Sequence, residues 1–206
     1  MLTLGLLASH RGSNVRAVVE ACRDGKLDAR PGVVISNNAN SGVLEFAAAS
    51  KIPARRIGGP SFADDRVRDE AILEELRRHE ADVVLLLGYM KLLGPKTIAA
   101  YRGRILNTHP ALLPRHGGKG IYGARVYEAV LAAGDIDTGV TVHLVDEEYD
   151  HGDIVAQCHV RVEQGDTVES LSARVLEREH EFLVETVQSI ASGQILLPGL
   201  RSLGSV

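Results

Sequence analysis

LTLGLLASHRGSNVRAVVEACRDG, residues 2–25, decides the fold. It opens on a mostly apolar run, Leu2 to Ala8, which is the pattern of a strand buried on both faces. From Asn14 the period changes. Val15, Val18, Val19 and Cys22 fall on one face of a helix that stops at Gly25. A buried strand passing through a short polar turn into an amphipathic helix is half of a βαβ unit. The rhythm returns at GVVIS (32–36), ARRIG (54–58), DVVLLLG (82–88) and RILNTH (104–109). Between them, Ile72, Leu73 and Leu76 mark another helical face within FADDRVRDEAILEELRRH (62–79). The expectation is an α/β fold with an open, doubly wound, mostly parallel sheet.

After Gly123 the pattern shifts to a helix, ARVYEAVLAAG (124–134), and two β-rich runs, TGVTVHLVD (138–146) and DIVAQCHVRV (153–162). A short acidic turn joins the two runs, so they read as an antiparallel extension of the sheet. A long helix over 167–193 follows, with Thr167 and Ser170 as caps and Gly193 as its stop. The chain therefore reads as a single domain over 1–195, with 196–206 as a mobile tail that has little to bury. Valine and leucine on the first helices could serve either the core or a homodimer interface.

A net charge of −4 with interspersed signs, no Trp and few aromatics argues against nucleic acid as a partner. Cys22 and Cys158 make neither a disulfide framework nor a zinc pattern. The apolar start lacks the basic residues and length of a signal peptide, and no run has the length of a membrane span. A cytoplasmic protein without membrane partners is expected.

Three segments could carry chemistry. ASHRGSN (8–14) lies where the first strand gives way to its helix, and free backbone N–H groups, a glycine, Ser13 and Asn14 there suit a phosphate. It has neither the G-x-G-x-x-G spacing of a dinucleotide site nor a following GK[ST], and a well-capped turn is the plain alternative. The second is RILNTHPALLPRHGGKGIYG (104–123). On an extended strand Asn107 and His109 share a face, and Pro110 ends the pairing, which puts both at the strand's carboxyl end. An amide donor beside an imidazole suits acyl transfer: one steadies an oxyanion while the other moves a proton. A histidine satisfied by backbone at a strand end is the alternative. The third is DEEYDHGD (146–153), either a solvated turn or the source of a carboxylate for His109. It lacks the ligand spacing of a calcium loop. His143, His151 and His159 stand eight apart, without metal-binding separation, and read as structural or exposed; no metal is expected.

With those residues collected, the chain resembles the phosphoribosylglycinamide formyltransferases, the folate-dependent transformylases of purine synthesis. The likeness covers residues 1–195 and rests on RGSN (11–14), GYMKLLGP (88–95), NTHPALLP (107–114), TGVTVHLVDEEYDHGDIVAQ (138–157) and EREHEF (177–182). It implies a Rossmann-like formyltransferase fold, with phosphate bound in the N-terminal half and folate in the C-terminal half. It implies transfer of a formyl group from 10-formyltetrahydrofolate to the amine of glycinamide ribonucleotide. Asn107, His109 and Asp150 would be catalytic. Gly12, Ser13 and Asn14 would hold the phosphate and Glu179 the ribose hydroxyls. Arg66, Met90, Lys91, Leu92, Leu93, Asn107, Val145 and Asp146 would frame the folate. Asp150 beside His109 would raise the imidazole's pKa.

The same NxHPxLLP segment also occurs in methionyl-tRNA formyltransferases and formyltetrahydrofolate deformylases, which carry a further domain that 206 residues would not accommodate. Lys91 stands where many members have arginine, which keeps the charge and loses the planar fork. The glycine-rich stretch 115–123 suggests a flap. Formylfolate hydrolysis by the same triad, a folate- or nucleotide-binding regulator, and a dehydrogenase without its glycine fingerprint are the competing readings.

Overall fold

The computed structural model of the chain describes residues 1–200. Its elements in order are β1 (Leu2–Leu7), α1 (Ser13–Arg23), β2 (Ala29–Ser36), α2 (Gly42–Ala49), β3 (Ala54–Arg56), a 3-10 turn (Pro60–Phe62), α3 (Asp65–Arg78), β4 (Val83–Leu86), α4 (Pro95–Ala100) and β5 (Ile105–His109). After a loop come α5 (Ala124–Ala133), β6 (Asp137–Leu144), β7 (Ile154–Arg161) and α6 (Val168–Ala191). The strands form one seven-stranded sheet in the order β3-β2-β1-β4-β5-β6-β7. The first five are parallel, and β6 and β7 run antiparallel, as the change of rhythm after Gly123 predicts.

Alternate residues of the central strands feed opposite faces. Leu4 and Leu6 of β1 with Val83 and Leu85 of β4 join a core completed by α1, α2, α5 and α6. Leu7, Val84 and Leu86 join the other core, under α3 and α4, around Leu76, Ile98 and Tyr101. Val15, Val18 and Val19 are buried in the first core, so these residues serve the fold of one chain. Leu197 is buried there too, with Leu200 packed against it, so the expected tail begins with residues that pack; residues 201–206 lie outside those described.

From β1 the chain passes through α1 to β2 on one side, whereas β4 lies on the other side of β1. The crossovers therefore leave in opposite directions and open a crevice at the carboxyl ends of these strands, where such sheets bind ligands. Among the described residues no helix is long and apolar enough to cross a membrane.

Candidate active site

The loop that leaves β1 turns into α1 at Gly12, whose φ of 70° lies in the left-handed region. Any Cβ there would also come within 2.4 Å of Val43 Cγ2, so a side chain is excluded twice over. The turn leaves the first N–H groups of α1 facing a cavity of about 480 Å³ lined by Arg11, Gly12, Ser13, Asn14, Asn40 and Gly88, among others. Arg11 is the one fixed charge on that lining, and no carboxylate opposes it. Such a concavity suits an anion.

Asn14 is tied inward. Its Nδ2 donates to Glu179 Oε1 at 3.0 Å, and Thr108 Oγ1 donates to the same oxygen at 2.8 Å. Glu179 thus links α6, α1 and β5, and burial pushes its carboxyl above the ordinary range against the lowering effect of the two donors. Asn14 Oδ1 is buried without a partner.

The second cluster lies at the end of β5. Antiparallel pairing sets Asn107 opposite His143 and His109 opposite Thr141. His143 Nδ1 donates to the Leu144 carbonyl at 2.8 Å, which leaves Nε2 to accept from Asn107 Nδ2 at 3.0 Å. The Asn107 amide also reaches Asp150 Oδ1 at 3.4 Å, a long contact. Asp150 arrives on the turn between β6 and β7 with a φ of 53°, a strained conformation for a residue with a side chain. Gly152 makes that turn close: a Cβ there would stand 2.0 Å from the Leu144 carbonyl oxygen. Asp150 Oδ2 accepts from Gly118 N–H at 3.0 Å and lies 3.5 Å from His109 Nδ1. Burial raises its pKa, but His143, His109 and the Gly118 N–H outweigh that and hold the carboxyl below the ordinary range.

His109 is 4% exposed, and its Nε2 donates to the His116 carbonyl at 2.8 Å. The lone pair of the neutral ring is therefore on Nδ1, facing Asp150. The sequence-based expectation of a raised pKa does not hold. Burial lowers it and, with the neighbouring imidazoles, prevails over the raising effects of Asp150 and the His116 carbonyl. The balance holds the His109 imidazole below its ordinary pKa, which favours the neutral ring over the imidazolium.

The structure thus joins Asn107, His109 and Asp150, and lines the other cavity with Gly12, Ser13 and Asn14; Glu179 is buried, does not line that cavity and is tied to it through Asn14. The remaining candidates are more dispersed. Met90, Lys91 and Leu92 are exposed after β4, and Leu93 turns into the second core. Val145 packs against that core, and Asp146 accepts from Glu148 N–H and pairs with His151 beside a cavity of about 240 Å³. Arg66, exposed on the first turn of α3, pairs with Asp64 and makes no hydrogen bond or ion pair to the other candidates. His143 is the member of this cluster that sequence reasoning missed. Its signal was the register of β6 on β5, which spacing along one chain does not carry. Among the described residues no group of acidic, histidine and cysteine side chains is arranged to hold a metal.

The formyl transferase family model matches residues 4–187. The phosphoribosylglycinamide formyltransferase of Arabidopsis thaliana chloroplasts is 41% identical over 198 residues, 93% of this chain, which spans 66% of that relative's length. That of Haemophilus influenzae is 34% identical over 197 residues, covering 96% of this chain and 91% of the relative. The crystal structure of glycinamide ribonucleotide transformylase 1 from Symbiobacterium toebii matches with a TM-score of 0.88 at 35% identity, over 98% of this chain and 92% of that one.

Proposed function

Since the chain belongs to the formyl transferase family, and within it to the phosphoribosylglycinamide formyltransferases, we propose that it moves the formyl group of 10-formyltetrahydrofolate to the amine of glycinamide ribonucleotide in purine synthesis, as one domain over 1–195, working in the cytoplasm. The observation that carries the reading is the convergence of Asn107, His109 and Asp150 at one strand end, in a sheet whose neighbouring loop forms an anion-ready cavity.

In this reading the ribonucleotide phosphate lies on the N–H groups of Gly12, Ser13 and Asn14, with Glu179 toward the ribose. The folate lies against Arg66, Met90–Leu93, Val145 and Asp146. The amine nitrogen attacks the formyl carbon, a C–N bond forms, and the carbonyl oxygen takes up negative charge. The Asn107 N–H in the long contact with Asp150 is the one free to turn toward that oxygen. Neutral His109 accepts the proton that the amine loses, and Asp150 steadies the imidazolium. The bond from the formyl carbon to the folate N10 then breaks, and the same proton passes to that nitrogen. Protons and charge balance without a metal.

The test is an absorbance assay of folate release with and without glycinamide ribonucleotide. Release that requires the ribonucleotide supports transfer. Release without it points to hydrolysis by the same residues, and no release by folded protein points to a binding module.

A further inference from the structure

Three loops from different strands meet at one hydroxyl. Ser9, just past β1, has no solvent exposure. Its Oγ accepts from Met90 N–H at 2.8 Å and donates to Asn37 Oδ1 at 2.6 Å. Its backbone N–H donates to the Gly88 carbonyl at 3.1 Å, and its own carbonyl accepts from Asn38 Nδ2 at 2.6 Å. Asn37 Nδ2 donates to Asn38 Oδ1 at 3.2 Å, which closes a polar ring through Ser9, Asn37 and Asn38. All of Ser9's polar groups are engaged, and the ring fixes the direction of the hydroxyl proton and therefore of the lone pair offered to Met90.

Met90–Leu93 belongs to neither helix nor strand, so the ladders that hold most backbone do not hold it. At its far end the Asp69 carboxylate accepts from Lys96 N–H at 2.8 Å and Thr97 N–H at 3.0 Å. At its near end the anchor is Ser9. The phosphate loop, by contrast, is held by backbone bonds that do not involve the Ser9 hydroxyl: Val43 N–H to the His10 carbonyl and Arg16 N–H to the Gly12 carbonyl. We propose that Ser9 is a positioning residue, which sets Met90–Leu93 against the loop that begins one residue later and so fixes where the folate lies relative to the ribonucleotide. This rests on the folate reading of that segment.

Steady-state kinetics of Ser9→Ala in the full chain test it, with both substrates varied. The methyl group fills the site but leaves Met90 N–H and Asn37 Oδ1 without a partner. The KM for 10-formyltetrahydrofolate should rise about tenfold, the size of one net hydrogen bond, while the KM for glycinamide ribonucleotide stays within about twofold of wild type. A purely structural role would lower the melting temperature and the active fraction and leave both KM values alone. That result, or both KM values rising together, would overturn the proposal. Asn37→Ala keeps Ser9 as acceptor and removes the group that receives its proton, so the folate KM should rise by a smaller factor, about twofold to fivefold. If Ser9→Ala does not fold, Asn37→Ala decides: a rise confined to the folate supports the proposal, and no rise overturns it. Wild type that releases folate without needing the ribonucleotide would instead overturn the proposed function, and this inference with it.

Discussion

At His109, burial and charge pull in opposite directions, and burial is the larger effect. The lowered pKa means that the folded chain resists a proton which the unfolded chain accepts below about pH 6.5. Stability from this residue is present above that pH and is lost as pH falls, and the depressed carboxyl of Asp150 works in the same direction further into acid. Catalysis should follow the same sign. The plot of kcat/KM against pH should rise through a pKa below 6.5 and level off toward neutrality, and Asp150→Asn should move that limb to still lower pH by removing the charge that raises the pKa of His109. In the proposed mechanism Asn107→Ala removes one oxyanion donor, and it should cost about 10² to 10³ in turnover. Its melting temperature should fall by no more than a few degrees, because Asn107 sits half-buried at a strand end and the buried His143 Nε2 is the main group that loses a partner. Concurrent loss of structure and activity would show that Asn107 holds the fold and not the oxyanion.

Among the elements, α6 and the turn between β6 and β7 reach the site by different means. The start of α6 is closed by a reciprocal capping box: Ser170 N–H donates to Thr167 Oγ1 and Thr167 N–H to Ser170 Oγ. Thr167→Ala should lower stability by about 1 kcal/mol in denaturant unfolding. Turnover should be unchanged, since Glu179 lies about three turns further on and is held by Asn14 and Thr108. Gly152→Ala should do the reverse of leaving the site alone, because the turn must move to relieve the clash with the Leu144 carbonyl and carries Asp150 with it. Its kcat should fall toward that of Asp150→Ala, and retained kcat would show that the turn has room to yield.

Over the whole molecule, the parallel strands and the antiparallel pair were legible because burial on two faces writes mostly apolar runs, and the helices write their own period. Asn107 and His109 were legible for a similar reason, since alternation along one strand places them on one face. Contacts set between strands were not. His143 meets Asn107 only through the pairing of β6 on β5, and Ser9 reads as part of a turn until β2 and β4 are laid beside β1. The pKa of His109 escaped prediction because the resemblance supplies a neighbouring carboxylate, whereas nothing in the sequence gives the depth of burial.

The central claim is that the formyl carbon passes to an amine and not to water. The most direct test gives the full chain 10-formyltetrahydrofolate labelled in the formyl group, together with glycinamide ribonucleotide, and follows the label. The prediction is that label enters the ribonucleotide in step with each folate released, and that Asn107→Ala slows both equally. Label recovered as formate, with the ribonucleotide unlabelled, would contradict it.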